Sequence, residues 1–226
     1  MLSDNLMWRY ATKRYDTTEK VSEEDIQKII ECGRYAPSSY GFEPWMFYVV
    51  SNQEVKEKIY NSGYKLAPVK FSQPQFTESS HMIVICAKHR VTRRDVKKYL
   101  RLIAEERNIT LESLNPFKKS LHMALILVRL SGLLKNPFAL FTEMRSWCER
   151  QCYVALGFML AEAAERKVDS CAHEGFIPDH VGKIIGCKDG YSPMIIMTLG
   201  YRAENDISIG WKKVRKDYRD TVVEIK

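Results

Sequence analysis

Apolar residues recur at helical spacing through Ile26, Ile29 and Ile30, and the stretch is introduced by Ser22 followed by Glu23, Glu24 and Asp25. A side-chain oxygen that accepts from the first free N–H groups, with acids in the first turn, predicts a helix from Ser22 to about Tyr35. Pro37, Gly41 and Pro44 then break the pattern, and Trp45 to Val50 is an aromatic-rich apolar run of strand length. It predicts a buried strand. Asn52 can cap a short helix carrying Val55, Ile59 and Tyr60. Residues 62–75, with Pro68 and Pro74 and no strong period, predict loop or broken helix.

His81 to Ala87 predicts a second strand by its Ile and Val content. A helix is expected from about Thr92 to Arg107, and one or two helices within residues 108–140, where Met123, Leu127 and Leu130 keep helical spacing. Thr142 to Lys167 predicts a long helix, apolar nearly all round between Tyr153 and Ala164, which places it in the middle of the protein. Val168 to Ala172 predicts a short strand, Pro178 starts another short helix, and Met194 to Tyr201 predicts a strand. Thr221 to Ile225 alternates apolar and polar residues at a terminus, where chains fray unless tied down, and this predicts an added sheet strand. Helices outnumber strands without regular alternation, which favours an α+β fold over a doubly wound one.

Composition changes this picture little. At 226 residues, with 45% hydrophobic and 28% charged side chains, the chain can bury one full core, and one domain over 1–226 is the expectation. Charges interrupt every apolar run near the N-terminus, and no run reaches bilayer length, so no membrane partner and a cytoplasmic location are expected. The six cysteines form no CxxC pair. Cys148 and Cys152, four apart on the long helix, lack a second pair or a nearby His, so packing rather than a metal is expected of them. Of the net charge of +7, residues 88–107 hold eight Lys or Arg against three Asp or Glu. Without interleaved stacking aromatics this reads as a solvated helix face rather than a nucleic-acid surface, with steering of an anionic cofactor as a secondary use.

Four separated blocks carry more specific information: RYATKRYD (Arg9 to Asp16), APSSYGFEPWMF (Ala36 to Phe47), DSCAHEGF (Asp169 to Phe176), and LGYRAEN followed by KVR (Leu199 to Asn205, Lys213 to Arg215). With SQPQF (Ser72 to Phe76), ESSH (Glu78 to His81) and the helix from Trp147 to Lys167, the set resembles the signature blocks of the nitroreductase family, in order. The resemblance covers nearly the whole chain apart from about residues 89–140.

It implies a homodimer with a central, mainly antiparallel sheet flanked by helices. The C-terminal strand would be exchanged between subunits, and a variable helical cap at about 89–140 would include Phe138 and Phe141. FMN would lie at the subunit interface. Its phosphate would meet Arg9, Lys213 and Arg215, whose charge-assisted bonds suit a dianion, with Tyr10 and Ala11 alongside. Lys13, four residues beyond Arg9 and on one helix face with it, would stabilise the anionic reduced ring. Pro37, Ser38, Ser39 and Gly41 would reach the cofactor from the other subunit, and Ser72 and Gln75 would bond the pyrimidine edge. Glu174 would place a backbone N–H near the reactive nitrogen, Gly175 would permit close approach to a planar ring, and His173 would lie beside them. Lys13 and Glu174 are thus the candidate catalytic residues, whereas His81 is assigned to structure.

The plainer readings stand beside these. A single basic residue is ordinarily a solvated surface charge, the Pro-Ser-Ser turn is ordinarily a turn before a strand, and Glu-Gly alone reads as a turn. The sequence also departs from the family where Ala11 stands for a frequent Ser and Gly41 for a frequent Asn, and near Ser72 and Gln75, where many relatives have Asn and Lys. The implied activity is ping-pong transfer of hydride from NAD(P)H through the flavin N5 to a nitroaromatic, quinone or similar electron-poor small molecule. Two alternatives remain open: other flavin chemistry on the same fold (dehalogenation, enoate reduction, flavin fragmentation), or a non-enzymatic flavin carrier or basic nucleic-acid binder.

Overall fold

The computed structural model describes residues 2–62, 65–66, 69–70, 73–135 and 139–225. The chain opens with helix α1 (Leu2–Trp8), followed by α2 (Glu23–Arg34), strand β1 (Trp45–Val50), α3 (Gln53–Asn61), the short pair β2 (Lys65–Leu66) and β3 (Val69–Lys70), and α4 (Gln75–Glu78). It continues through β4 (His81–Lys88), α5 (Arg93–Glu106), α6 (Asn115–Lys135), α7 (Ala139–Glu165), β5 (Asp169–His173), α8 (Pro178–Ile184) and β6 (Tyr191–Gly200).

Alternation along β4 organises the molecule. Six of its residues, Met82–Ala87, pair antiparallel with β1 on one side, all eight pair antiparallel with β6 on the other, and β5 closes the four-stranded sheet in the order β1-β4-β6-β5. Successive side chains of a strand point to opposite faces. Ile83 and Ile85, with Ile195, Met197 and Leu199 of β6, therefore face α2 and α7, where they meet Ile29, Ala155, Met159 and Ala163. Met82, Val84, Cys86 and Ile196 face the other way, onto Ile59, Phe76, Phe176 and Val181. The sheet is covered on both faces, as an apolar strand like β4 requires. Gly33 lets α2 approach α7, since a Cβ there would lie 2.0 Å from the Met159 Cε.

The capping reading of α2 is met atom by atom, with Ser22 Oγ accepting from Asp25 N at 3.1 Å. Asn52 does the same for α3, and Thr92 with Asp95 forms a capping box at α5. The basic segment is a solvated face: Val96, Leu100 and Ile103 turn inward to Leu121, Leu125 and Trp147, while Arg94, Lys97, Lys98 and Arg101 are exposed. Cys148 and Cys152 are fully buried and reduced, and burial pushes both thiols up to about 12. Residues 108–140 hold α6 and the start of α7; Phe138 lies outside the described residues, as does the side chain of Phe141.

Two expectations differ. Residues 62–75 contain the β2–β3 pair and the start of α4 as well as loop. The helix expected to carry both Arg9 and Lys13 ends at Trp8, because the following backbone bonds elsewhere: Ala11 bridges Ser170 of β5, Tyr15 bridges Arg202, and Asp16 N donates to Tyr201 O at 2.8 Å. Thr221 to Ile225 pairs with no strand of its own chain among the described residues, and Val223 and Ile225 are 84% and 95% exposed.

Candidate active site

The N-terminal blocks and the residues after β6 meet at the β5 edge of the sheet. Arg202 fastens them: its guanidinium pairs with the buried Asp169 carboxylate (Nη2–Oδ1 2.6 Å, Nε–Oδ1 2.9 Å), and its backbone N–H donates to the same group at 2.9 Å. The planar group lies 4.4 Å from the Trp8 ring centroid and 4.6 Å from that of Tyr10, so stacking adds to the ion pair. Thr12, fully buried, reaches Asp169 at 3.4 Å.

Held this way, Arg9 meets Lys213 and Arg215. The Lys213 ammonium donates to the Arg9 carbonyl; Arg9 senses the charge of Arg215, and Lys213 that of both arginines. Burial lowers the Arg9 pKa, with Arg215 adding repulsion; burial, then Arg9 and Arg215, lowers that of Lys213. The buried Arg9 Nε has no hydrogen-bond partner among the described residues. A cleft of about 490 Å³ opens here, lined by Arg9, Tyr10, Trp8, Trp211, Lys212 and Lys213. Like charges gathered this closely favour an anion between them.

Further along the β5 edge, Lys13 is exposed, and its charge is felt at the Cys171 thiol and the His173 ring. Glu174 is exposed and accepts from Tyr153 Oη of α7 at 2.9 Å; burial and then this carboxylate push the phenol up to about 12. Gln73 Nε2 donates to Gly175 O at 3.2 Å, and a Cβ on Gly175 would lie 3.2 Å from that nitrogen. The amide oxygens of Gln73 and Gln75 are buried and have no partner among the described residues. Ser72 lies outside the described residues.

His173 faces inward. Its ring is turned into the core, with Nε2 3.1 Å from Thr198 Oγ1 and the Phe76 ring edge-on at 4.8 Å, so only its backbone remains for a ligand. Burial, reinforced by Lys13, lowers its pKa to about 4, which keeps the ring neutral near pH 7. His81 is likewise buried, with Nδ1 2.9 Å from Ser80 Oγ, as a structural histidine would be.

The Pro37–Gly41 turn sits elsewhere on the same chain. Ser39 N donates to Gln151 Oε1 of α7 at 2.9 Å, Ser38 Oγ accepts from Glu43 N at 3.0 Å, and Gly41 adopts φ +70° against Tyr99. Among the described residues no hydrogen bond joins this turn to Arg9, Lys13 or Lys213. Sequence reasoning missed Tyr153, Gln73, Asp169 and Asp206, whose partners are distant in the chain and leave no local signal.

A two-sided antiparallel sheet with a cation-lined cleft beside it describes an α+β protein with a site suited to an anion. Residues 6–201 match the family model described as the nitroreductase family, and the chain belongs to that family. A Staphylococcus epidermidis protein named as an NAD(P)H nitroreductase is 34% identical over 219 residues, covering 89% of this chain and 87% of its own. Among solved structures, a nitroreductase-like protein of Streptococcus mutans superposes with a TM-score of 0.79 at 18% identity, covering 100% of both chains. A chain from Exiguobacterium sibiricum, named as a nitroreductase and solved in complex with FMN, gives 0.72 at 20% identity, covering 100% of this chain and 97% of that one.

Proposed function

We propose that this protein is an FMN-dependent oxidoreductase that takes hydride from NAD(P)H and delivers reducing equivalents, in ping-pong order, to a nitroaromatic, quinone or similar electron-poor small molecule. The observation that carries the reading is the convergence of Arg9, Lys213 and Arg215, with the Arg9 Nε left without a partner among the described residues. The relative's NAD(P)H nitroreductase name and the FMN complex of a structural neighbour support it.

The residues present fit the cofactor. The three cations would hold the phosphate, with Tyr10 and Ala11 alongside, and the orphaned oxygens of Gln75 and Gln73 could accept from the ring's N–H, joined by Ser72. FMN, when bound, supplies a ring that accepts a hydride and releases electrons to a second substrate. Lys13, free of any side-chain partner among the described residues, would stabilise negative charge on that ring. Glu174 and Gly175 would offer their backbone to a flat face, and the Tyr153 bond to Glu174 steadies that stretch. His173, buried and neutral near pH 7, would lend the ring no positive charge.

In this reading the molecule is a homodimer. Pro37, Ser38, Ser39 and Gly41 of one subunit complete the site of the other, and Thr221 to Ile225 joins the partner's sheet. The exposed apolar residues Tyr153, Val154 and Phe158 of α7, together with Val223 and Ile225, support this. The chain is one domain over 1–226 with α5 and α6 as the cap. Among the described residues no helix is long and apolar enough to cross a membrane, and we place the enzyme in the cytoplasm, without nucleic-acid or membrane partners. The test is an absorbance spectrum of the purified protein before and after anaerobic NADH or NADPH: a flavin spectrum that bleaches supports the proposal, and colourless protein that takes up no added FMN overturns it.

A further inference from the structure

We infer that Asp206 is a positioning residue of the phosphate site: its carboxylate locks the main chain of the Arg9–Lys13 segment to the loop that leads to Lys213 and Arg215. The inference rests on the FMN reading above. Asp206 is 4% exposed, on a loop otherwise largely open to solvent. Its Oδ2 accepts from Lys13 N at 2.7 Å and Arg14 N at 3.1 Å, and its Oδ1 accepts from Ser208 N at 2.8 Å. One side chain thereby joins backbone positions 193 and 192 residues away to its own turn.

That turn is itself a chain of short bonds. Asp206 N donates to Ala203 O at 3.0 Å, Ile209 N to Asp206 O at 3.1 Å and Trp211 N to Ser208 O at 3.2 Å, which brings the chain to Lys213. On the other side, Lys13 and Arg14 lie between the isolated bridges at Ala11 and Tyr15, and Asp206 is the acceptor their N–H groups use. Removing it would leave both donors unsatisfied, which a partly buried backbone does not tolerate without moving.

The charge is spent on amides rather than on a cation. Among the described residues no Lys or Arg lies within ion-pair distance of Asp206. Burial alone would raise the carboxyl's pKa, but the N–H groups of Ser208, Lys13 and Arg14 outweigh it and hold the group below the ordinary range. As a bare negative charge near the cation cluster Asp206 would oppose phosphate binding; as a positioning residue it favours it. The two roles therefore predict opposite signs for a neutral replacement.

The test measures FMN affinity of apoprotein by flavin fluorescence quenching, well below each variant's melting temperature, for Asp206→Ala, Asp206→Asn and Arg9→Ala. The expected result is a roughly 10- to 100-fold weaker Kd for Asp206→Ala, and a smaller loss for Asp206→Asn, which keeps one acceptor oxygen. The midpoint potential of bound FMN should fall in Asp206→Ala and in Lys13→Ala, and the double variant should fall no further, because both changes displace the same ammonium. A lower melting temperature with unchanged Kd and potential overturns the inference, as does tighter binding by Asp206→Asn. If Asp206→Ala does not fold, Asp206→Asn decides alone: weaker binding supports the role, equal or tighter binding removes it. Loss of FMN in Arg9→Ala but not in the Asp206 variants defeats only this inference, whereas retention in Arg9→Ala takes the phosphate reading down with it.

Discussion

Lys213 donates its ammonium to the backbone carbonyl of Arg9, so two residues 204 positions apart share one bond and present their charges to the same cleft. Neither residue alone marks a site. The bond makes the two chain ends one structural unit, and the functional predictions begin there.

Arg9→Ala and Arg215→Ala should each weaken FMN binding roughly 10- to 100-fold, the value of a charge-assisted hydrogen bond or two. Equilibrium dialysis at low and high salt checks this. The wild-type affinity should also fall with ionic strength, and less steeply in the variants.

Lys13→Ala should retain FMN but slow its anaerobic reduction by NAD(P)H roughly 10- to 100-fold, the usual cost of losing one group that stabilises developing charge. Stopped-flow bleaching at the flavin band measures it. Unchanged reduction would remove Lys13 from the chemistry.

His173 gives stability a dependence on acid. Its folded pKa is about 4, against about 6.5 for an unperturbed imidazole, so the unfolded chain binds the proton more readily. The contribution is fully present above pH 6.5 and is lost as pH falls through 4, a total of roughly 3 kcal/mol. Urea unfolding at pH 7.5 and pH 5 should show a larger loss for the wild type than for His173→Gln.

Lys56 acts at the other end of the scale. Its ammonium, 1% exposed, donates to Ser79 O at 2.6 Å, and burial, helped by Lys20, lowers its pKa to about 8. Between pH 8 and 10.5 the unfolded chain holds a proton that the folded one has released, so this residue's contribution rises with pH across that window. The stability difference between wild type and Lys56→Met, followed by denaturation from pH 7.5 to 10, should shift in favour of the wild type.

What the sequence showed depended on how local the cause was. The α2 start was legible because Ser22 and Asp25 meet within one turn, and β4 because seven consecutive residues, His81–Ala87, had to be buried on both faces. The long helix α7 declared itself by lacking a polar side from Tyr153 to Ala164. The segment after Trp8 was misread because Arg9 and Lys13 share a side at i,i+4 in a helix, while the acceptors that draw it out, Asp206 and Ser170, lie far along the chain. For the same reason the family blocks located Arg9, Lys213 and Arg215, whereas Asp206, Gln73 and Tyr153 became visible only as partners in space. The alternation at Thr221 to Ile225 identified side chains that their own chain leaves uncovered.

Because Arg9 and Lys213 lie on segments clipped together through Arg202, Asp206 and Lys213, local opening of either segment would part the cations while the sheet behind β4 is still intact. Release of the yellow chromophore on warming would then report fraying of the clasp, at a temperature below the one at which the core itself melts.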